Sequence, residues 1–168
     1  MTIYDLILSR QSIRKYVKGY EIPEEDIKKM LTAAMHAPSA CNTRPWEFYV
    51  LKSDAAKEKA RSIHPHARHL ETASLAIVVC AKPEAQGPVA EGFFPQDCAA
   101  VTENILLAAY EMGYGTCWCG IFPREERVKI FKDTFEISST PFCLITVGKP
   151  DETPSKKGFY DETIVTYL

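Results

Sequence analysis

Two arginines and a serine near the amino terminus are the first residues whose spacing could do chemistry. Arg10, Ser12 and Arg14 alternate along the chain, and alternate side chains of an extended segment point to the same side. Two guanidinium groups and a hydroxyl would then converge, as phosphate recognition requires. If the preceding helix continued, Arg10 and Arg14 would still share a face, but Ser12 would point away. The pattern alone therefore leaves open a phosphate site and a solvated basic surface.

Prolines and short polar side chains share the segment 37–46, which follows a predicted helix. Such residues make a stiff loop that can hydrogen-bond a polyol or a heterocycle. The residues concerned are Pro38, Ser39, Asn42 and Pro45. A structural turn anchored by Trp46 would account for the same composition, so both interpretations stay open on the segment alone.

Residues 113–122 combine three glycines with two cysteines. The glycines permit close backbone approach to a flat ligand. Cys117 and Cys119 would share one strand face, which raises thiol redox chemistry and metal binding as possibilities. Such positions do not favour a strain-free disulfide, and no other Cys or His group has conventional metal-ligand spacing. We therefore expect two packed thiols and no metal site.

Three histidines, His64, His66 and His69, cluster ahead of a predicted strand. No carboxylate pattern completes a metal site around them, which favours a polar loop near the mouth of a ligand pocket. The sequence shows no Ser-His-Asp set, no paired-carboxylate pattern, no P-loop and no G-x-G-x-x-G segment. Hydrolase and dinucleotide-fold functions therefore have no support.

The elements that must position these groups are predicted from hydrophobic periodicity and from helix start and stop signals. Helices are expected over residues 3–9, 23–37, 54–62, 96–112 and 125–132. Strands are expected over residues 47–52, 74–81 and 141–148, and a strand followed by a turn over residues 115–122. The fold class is α+β, with a mixed sheet flanked by helices.

Two segments suggest contact with another chain. The helix from about Gln96 is apolar almost all round, which predicts burial in a domain centre or a subunit interface. The tail 149–168 has few core-forming residues before Ile164 and Val165. We expect residues 1–168 to form one domain, with this tail embracing a partner subunit.

Composition excludes several other classes of protein. The 168 residues are 46% hydrophobic, enough for a real core, and the formal net charge of -2 gives no field that would attract nucleic acid or an anionic membrane. Six cysteines without a C-x-x-C pair, and no signal peptide or spanning run, predict a reduced, cytoplasmic protein.

Several stretches, in order, resemble the nitroreductase family of FMN-dependent oxidoreductases, in particular its short, single-domain members. They read SRQSIRKY, APSACNTRPWEF, QDCAAVTENILLAAYEMGYGTCW with the following CGIFP, and VGKP. The resemblance covers most of the chain. It implies a domain-swapped homodimer with two FMN molecules at the interface. It also implies a ping-pong reaction, in which NADH or NADPH delivers hydride to flavin N5 and a small acceptor, such as a nitroaromatic or a quinone, then takes the electrons.

The same resemblance implies where the cofactor binds. One subunit would hold the phosphate and the ring edge through Arg10, Gln11, Ser12 and Arg14. The other subunit would line the ring and the ribityl chain with Pro38, Ser39, Ala40 and Asn42. The stretch whose backbone approaches the flavin near N5 would be Cys119, Gly120 and Ile121. No catalytic side chain is implied, because the flavin carries the chemistry.

Two departures from the family pattern affect these assignments. Arg44 stands where members often carry glutamine, and it would add positive charge near the site. Phe159 stands where a basic residue commonly completes the phosphate pocket. We assign that role to Lys157, with Lys156 as the alternative, although a lysine offers a point charge rather than a fork.

The segment 82–95, which contains Phe93 and Phe94, is expected to form a lid over the acceptor pocket. Three other functions stay open at this stage. They are a non-catalytic flavin-binding or sensing protein, a cysteine-based redox or metal protein using Cys117 and Cys119, and a plain dimeric scaffold.

Overall fold

A computed structural model describes residues 1–155 and 158–168. The helices of this part are α1 Ile3–Ser9, α2 Glu24–Met35, α3 Asp54–Ile63, α4 Phe94–Glu111 and α5 Glu125–Phe135. The strands are β1 Trp46–Leu51, β2 Leu75–Ala81, β3 Gly115–Gly120 and β4 Thr140–Gly148. No helix in the described ranges is long and apolar enough to cross a membrane.

The four strands form one sheet in the order β1-β2-β4-β3, and every neighbouring pair is antiparallel. The α+β class is confirmed, but the sheet differs from the predicted mixed one. Within the described residues, parallel pairing is limited to an isolated bridge between Ser12 and Thr116. Strand β2 is buried along its whole length, a pattern that is usual in parallel sheets. Here it arises because helices cover both faces of an antiparallel sheet.

Each face of the sheet has its own hydrophobic core, because alternate residues of β2 point to opposite sides. Ile77 packs with Met30 of α2 and Ile105 of α4 on one face. Val78 packs with Phe131 of α5 on the other face. This double-sided packing places β4 between two layers, with β3 beside it at the edge of the sheet.

Helix α4 begins at Phe94, two residues before the predicted start. Proline is tolerated in the first turn of a helix, where its missing N–H costs no hydrogen bond. Pro95 occupies that position. The residues that we assigned to the end of a lid therefore belong to the helix.

Helix α1 begins at Ile3 because a capping box closes its first turn. The Thr2 hydroxyl accepts from the Asp5 backbone N–H at 3.1 Å, and the Asp5 carboxylate accepts from the Thr2 N–H at 3.0 Å. No residue of α1 is buried within the subunit, and Ile3 is 78% exposed. The helix thus presents apolar side chains outward.

Candidate functional site

The segment after α1 is extended, as the phosphate interpretation requires. The Ile13 N–H donates to the Thr116 carbonyl at 2.8 Å, and the Ile13 side chain is buried against β3. A Cβ added at Gly115 would lie 2.8 Å from the Ile13 side chain. Glycine at position 115 therefore lets the segment lie directly on the strand.

A cavity of about 860 Å³ brings the four predicted phosphate-binding residues together. These residues are Arg10, Gln11, Ser12 and Arg14. The rest of the wall comes from α1 and from the carboxyl-terminal tail, through Tyr4, Ile7, Leu8, Pro154, Ser155, Gly158, Phe159 and Tyr160. The volume is in the range of pockets that hold small ligands and cofactors.

Two carboxylates contact the arginine-containing segment that lines this cavity. The Glu152 carboxylate accepts from the backbone N–H groups of both Arg14 and Lys15, the latter at 3.0 Å. Arg10 is oriented by an ion pair with Glu103 of α4, with Nε 3.4 Å from Oε1. Arg10 and these main-chain donors thus already have carboxylate partners, and an anionic ligand would share or displace those partners.

The second predicted set lies in the loop between α2 and β1, and it does not line the cavity of its own subunit. Pro38 and Asn42 are exposed, whereas Ser39 and Ala40 are half-buried. The Ser39 hydroxyl accepts from the Arg44 N–H at 3.0 Å, and Arg44 Nε donates to Asn42 Oδ1 at 3.1 Å. These bonds hold the loop in a single shape.

That loop also contains unusual backbone strain. Cys41, Asn42 and Arg44 have φ values of 51°, 54° and 50°. Asparagine tolerates this left-handed region, but cysteine and arginine rarely adopt it. Strained residues of this kind cluster at binding sites, where the surroundings fix them. The geometry is therefore that of a rigid, pre-shaped loop.

A buried carboxylate that sequence reasoning missed ties this loop to the segment before α4. Asp97 Oδ1 accepts from the Ala40 N–H at 2.9 Å, and Oδ2 accepts from Gln86 Nε2 at 3.0 Å. Gln86 Oε1 in turn accepts from the Phe94 N–H at 3.1 Å. In the sequence, Asp97 is only an acid in the first turn of a helix, and that signal gives no hint of distant partners.

Replacing Asp97 by alanine should destabilise the fold and loosen the loop. The substitution leaves the Ala40 and Gln86 donors unpaired in a buried place, and each costs about 1–3 kcal/mol. We expect the free energy of unfolding to fall by about 2–4 kcal/mol, measured by urea denaturation. Asp97→Asn keeps one acceptor, so its free energy of unfolding should fall less than that of Asp97→Ala. An equal decrease in both variants would contradict this assignment.

The end of β3 offers one open position among the three residues expected near the flavin ring. The Cys119 side chain and Ile121 are buried, and the Ile121 N–H donates to the Phe142 carbonyl at 3.1 Å. Gly120 is exposed, and a Cβ placed there would meet nothing within 4 Å. A flat ligand could therefore approach the backbone at Gly120 but not the two neighbouring side chains.

The Gly120 carbonyl is held by His64, which is buried rather than part of an open polar loop. His64 Nε2 donates to Gly120 O at 3.0 Å, while Nδ1 accepts from the His66 N–H at 3.2 Å. These two bonds fix a neutral tautomer, because a proton on Nδ1 would displace the His66 donor. Burial lowers the pKa of His64, and the hydrogen bond to Gly120 only partly opposes this shift.

Acidification should therefore destabilise the protein through His64. The unfolded chain, with a histidine pKa of about 6.5, takes up the proton more readily than the folded chain. Stability should fall as the pH drops below that value. His64→Gln keeps a donor for Gly120 and removes the titration. In urea denaturation, the free energy of unfolding should decrease less between pH 7.5 and pH 5.5 for this variant than for the wild type. Equal decreases would contradict the assignment.

The predicted lid differs from expectation at its carboxyl end. Phe94 is the first residue of α4 and packs edge-on against Phe122, with ring centroids 5.1 Å apart. Phe93 is 45% exposed and remains a candidate for ligand contact. Lys157, our candidate for the third phosphate-binding cation, lies outside the described residues, as does Lys156.

Comparison with known proteins gives a consistent family match. Residues 7–149 match the model of the Nitroreductase family. A protein of Methanothermobacter thermautotrophicus, provisionally named NADH dehydrogenase/NAD(P)H nitroreductase, is 39% identical over 96% of this chain and 84% of its own length. A protein of the same provisional name from Archaeoglobus fulgidus is 40% identical over 93% of this chain and 88% of its own length.

Solved structures agree with that match. A provisionally named NADH oxidase from Clostridium acetobutylicum superposes with a TM-score of 0.90 and 41% identity, covering 96% of this chain and 98% of the other. An FMN-dependent nitroreductase from Clostridium difficile superposes with a TM-score of 0.85 and 28% identity, covering 98% of both chains.

Proposed function

The chain belongs to the nitroreductase family, and from that membership we propose that it is an FMN-dependent oxidoreductase using NADH or NADPH. The proposal depends mainly on one observation, the convergence of Arg10, Ser12 and Arg14 on a single cavity. Relatives named as NAD(P)H nitroreductases and the FMN-dependent structure from Clostridium difficile support it.

The residues present fit FMN. Two arginines and a serine line the cavity, and such side chains suit its phosphate. The open backbone at Gly120 suits close approach of a flat ring. When bound, FMN would supply the hydride chemistry at N5, taking hydride from NADH or NADPH and passing it to a small organic acceptor in a ping-pong sequence.

The side chains of this chain would bind the cofactor, orient it and shield it from water. Arg10 and Arg14 hold the phosphate as charge-assisted donors, and Glu103 fixes the direction of Arg10. Apolar residues of α1, together with Phe159, wall the cavity and reduce its contact with water. Arg44 adds positive charge that would stabilise an anionic reduced ring. No side chain is assigned as acid, base or nucleophile.

We further propose that a second copy of the chain completes the site. Pro38, Ser39, Ala40 and Asn42 do not line the cavity of their own subunit. Apolar side chains of α1 and of the tail are open to solvent, with Phe159 83% and Ile164 82% exposed. Apolar surface of this kind usually marks an interface. We expect a homodimer in which the tail 149–168 wraps the partner.

A cytoplasmic location fits these proposals, because all six cysteines are free in the described part of the chain.

The test is the visible spectrum of the purified protein, followed by mass determination of whatever denaturation releases. We expect a flavin spectrum, release of FMN, and NAD(P)H oxidation with at least one nitroaromatic, quinone, enone or halogenated phenol. Flavin that binds but never turns over would instead favour a sensing protein. Protein that stays colourless in excess FMN would overturn the proposal.

A further inference from the structure

Two cysteines and a histidine meet on the sheet face that packs against α3 and α5. The Cys119 sulfur lies 3.7 Å from His69 Nε2. His69 offers a ring nitrogen, and Cys117 and Cys119 each offer a sulfur. These three atoms lie within 4.8 Å of one another. The cysteines are 3% and 4% exposed, and the histidine is half-buried. Together, these three side chains are called the β3 thiol cluster below.

The fold holds these side chains together. Cys117 and Cys119 point to the same side because they are alternate residues of β3. His69 lies in the 3-10 turn Arg68–Glu71, which the buried Leu70 anchors in the same core. The cluster therefore joins a turn to a strand that is distant in sequence.

The two cysteines differ chemically from the other buried thiols. Burial raises the pKa of Cys80 and of Cys98 to about 12, so both behave as small apolar groups. A hydrogen bond from Cys119 lowers the pKa of Cys117 against the opposing effect of burial, and His69 adds to the lowering. The shared proton raises the pKa of Cys119 in turn. The pair therefore differs from the ordinary buried thiols of the same fold.

We propose that the β3 thiol cluster binds a thiophilic divalent cation of the zinc class. Zinc forms bonds of about 2.3 Å to sulfur and about 2.0–2.1 Å to nitrogen. In a tetrahedral site, a sulfur ligand and a nitrogen ligand therefore lie about 3.6 Å apart. The 3.7 Å between Cys119 and His69 is close to that value. Thiolate and imidazole donors favour zinc over magnesium or calcium. Three protein ligands leave one coordination position open.

This site does not rest on the proposed flavin chemistry. The Cys119 side chain is buried, whereas the next residue, Gly120, is exposed, so the metal and a flat ligand would lie on different sides of β3. Binding releases thiol protons to solvent in exchange for the cation, with no electron transfer. Affinity should therefore increase with pH.

Cobalt(II) is the most direct probe, because tetrahedral cobalt with thiolate ligands absorbs in the red, where oxidised flavin does not. Protein purified under reducing conditions, with any flavin left in place, is titrated with cobalt chloride and then with zinc chloride. We expect red absorption that saturates at one cobalt per chain and disappears when zinc is added. Elemental analysis should then find one zinc per chain.

Single variants test the ligands. Cys117→Ala, Cys119→Ala and His69→Ala should each lose the red band and the bound zinc. Cys80→Ala, which alters an ordinary thiol in the same core, should keep both. Circular dichroism checks folding. Because His69 is only half-buried, its variant remains informative if the cysteine variants fail to fold.

Three results would overturn the proposal. One is wild-type protein without red absorption at equimolar cobalt. Another is a His69→Ala variant with unchanged binding, since the cation would then sit elsewhere. The third is a folded Cys117→Ala or Cys119→Ala variant with unchanged binding, since that sulfur would then not be a ligand.

Discussion

Replacing Arg10 and Arg14 together by alanine should give a folded protein that no longer retains FMN. Both side chains line the cavity proposed for the phosphate, and each charge-assisted hydrogen bond to phosphate is worth about 1.5–3 kcal/mol. Losing one from each residue should weaken FMN binding about 10²- to 10⁴-fold. Equilibrium dialysis with free FMN measures the change, alongside the flavin content of the purified protein.

The expected loss is specific to binding, because neither arginine contributes much to the fold. The ion pair of Arg10 with Glu103 is partly exposed, and such pairs contribute no more than about 1 kcal/mol. Arg61→Ala is a matched control, since it removes a guanidinium on α3 that pairs with Glu58 outside the cavity. Unchanged FMN affinity in the double variant would refute the phosphate assignment.

The lysine variants separate charge from geometry. Arg10→Lys with Arg14→Lys keeps two positive charges but removes the planar fork that binds phosphate through two parallel bonds. We expect intermediate affinity. Affinity equal to the wild type would mean that the pocket uses these residues only as point charges.

Much of the fold was predictable because local signals and packing agree. The apolar run of β2 indicated a buried strand, and Pro23 followed by three acidic residues indicated the start of α2. Strand direction was not predictable, since residues 75–81 would look the same in a parallel or an antiparallel sheet when helices cover both faces. The start of α4 was predicted two residues too late. Pro95 lies in the first turn of the helix, where proline is tolerated, so it did not mark the boundary.

The candidate site was predictable only where its residues are close in sequence. Arg10, Ser12 and Arg14 line one cavity, as their spacing suggests for an extended segment. Asp97 was missed, and His69 was not linked to the cysteines, because their partners lie far along the chain and only the fold brings them together. Family resemblance supplied the second set of residues, which are proposed to line the ring, and no periodicity in the sequence could have done so.

The second large effect is expected at the proposed dimer interface, from charged substitutions in the tail. Ile164 and Tyr167 are 82% and 89% exposed within one subunit, and the proposed partner surface would cover them. Placing a carboxylate in such an interface costs several kcal/mol of desolvation. We expect Ile164→Asp with Tyr167→Asp to be monomeric at micromolar concentration by sedimentation velocity, where the wild type is dimeric.

Cofactor retention should be lost together with the dimer, because Ser39 and Asn42 would reach the ring only from the second subunit. The double variant should therefore lose FMN even though Arg10 and Arg14 are intact. Ile130→Asp, a change at an exposed apolar residue of α5, is the matched control and should remain dimeric and yellow. If the double variant is monomeric but retains FMN, one subunit is sufficient for binding. If the double variant remains dimeric, the interface lies elsewhere.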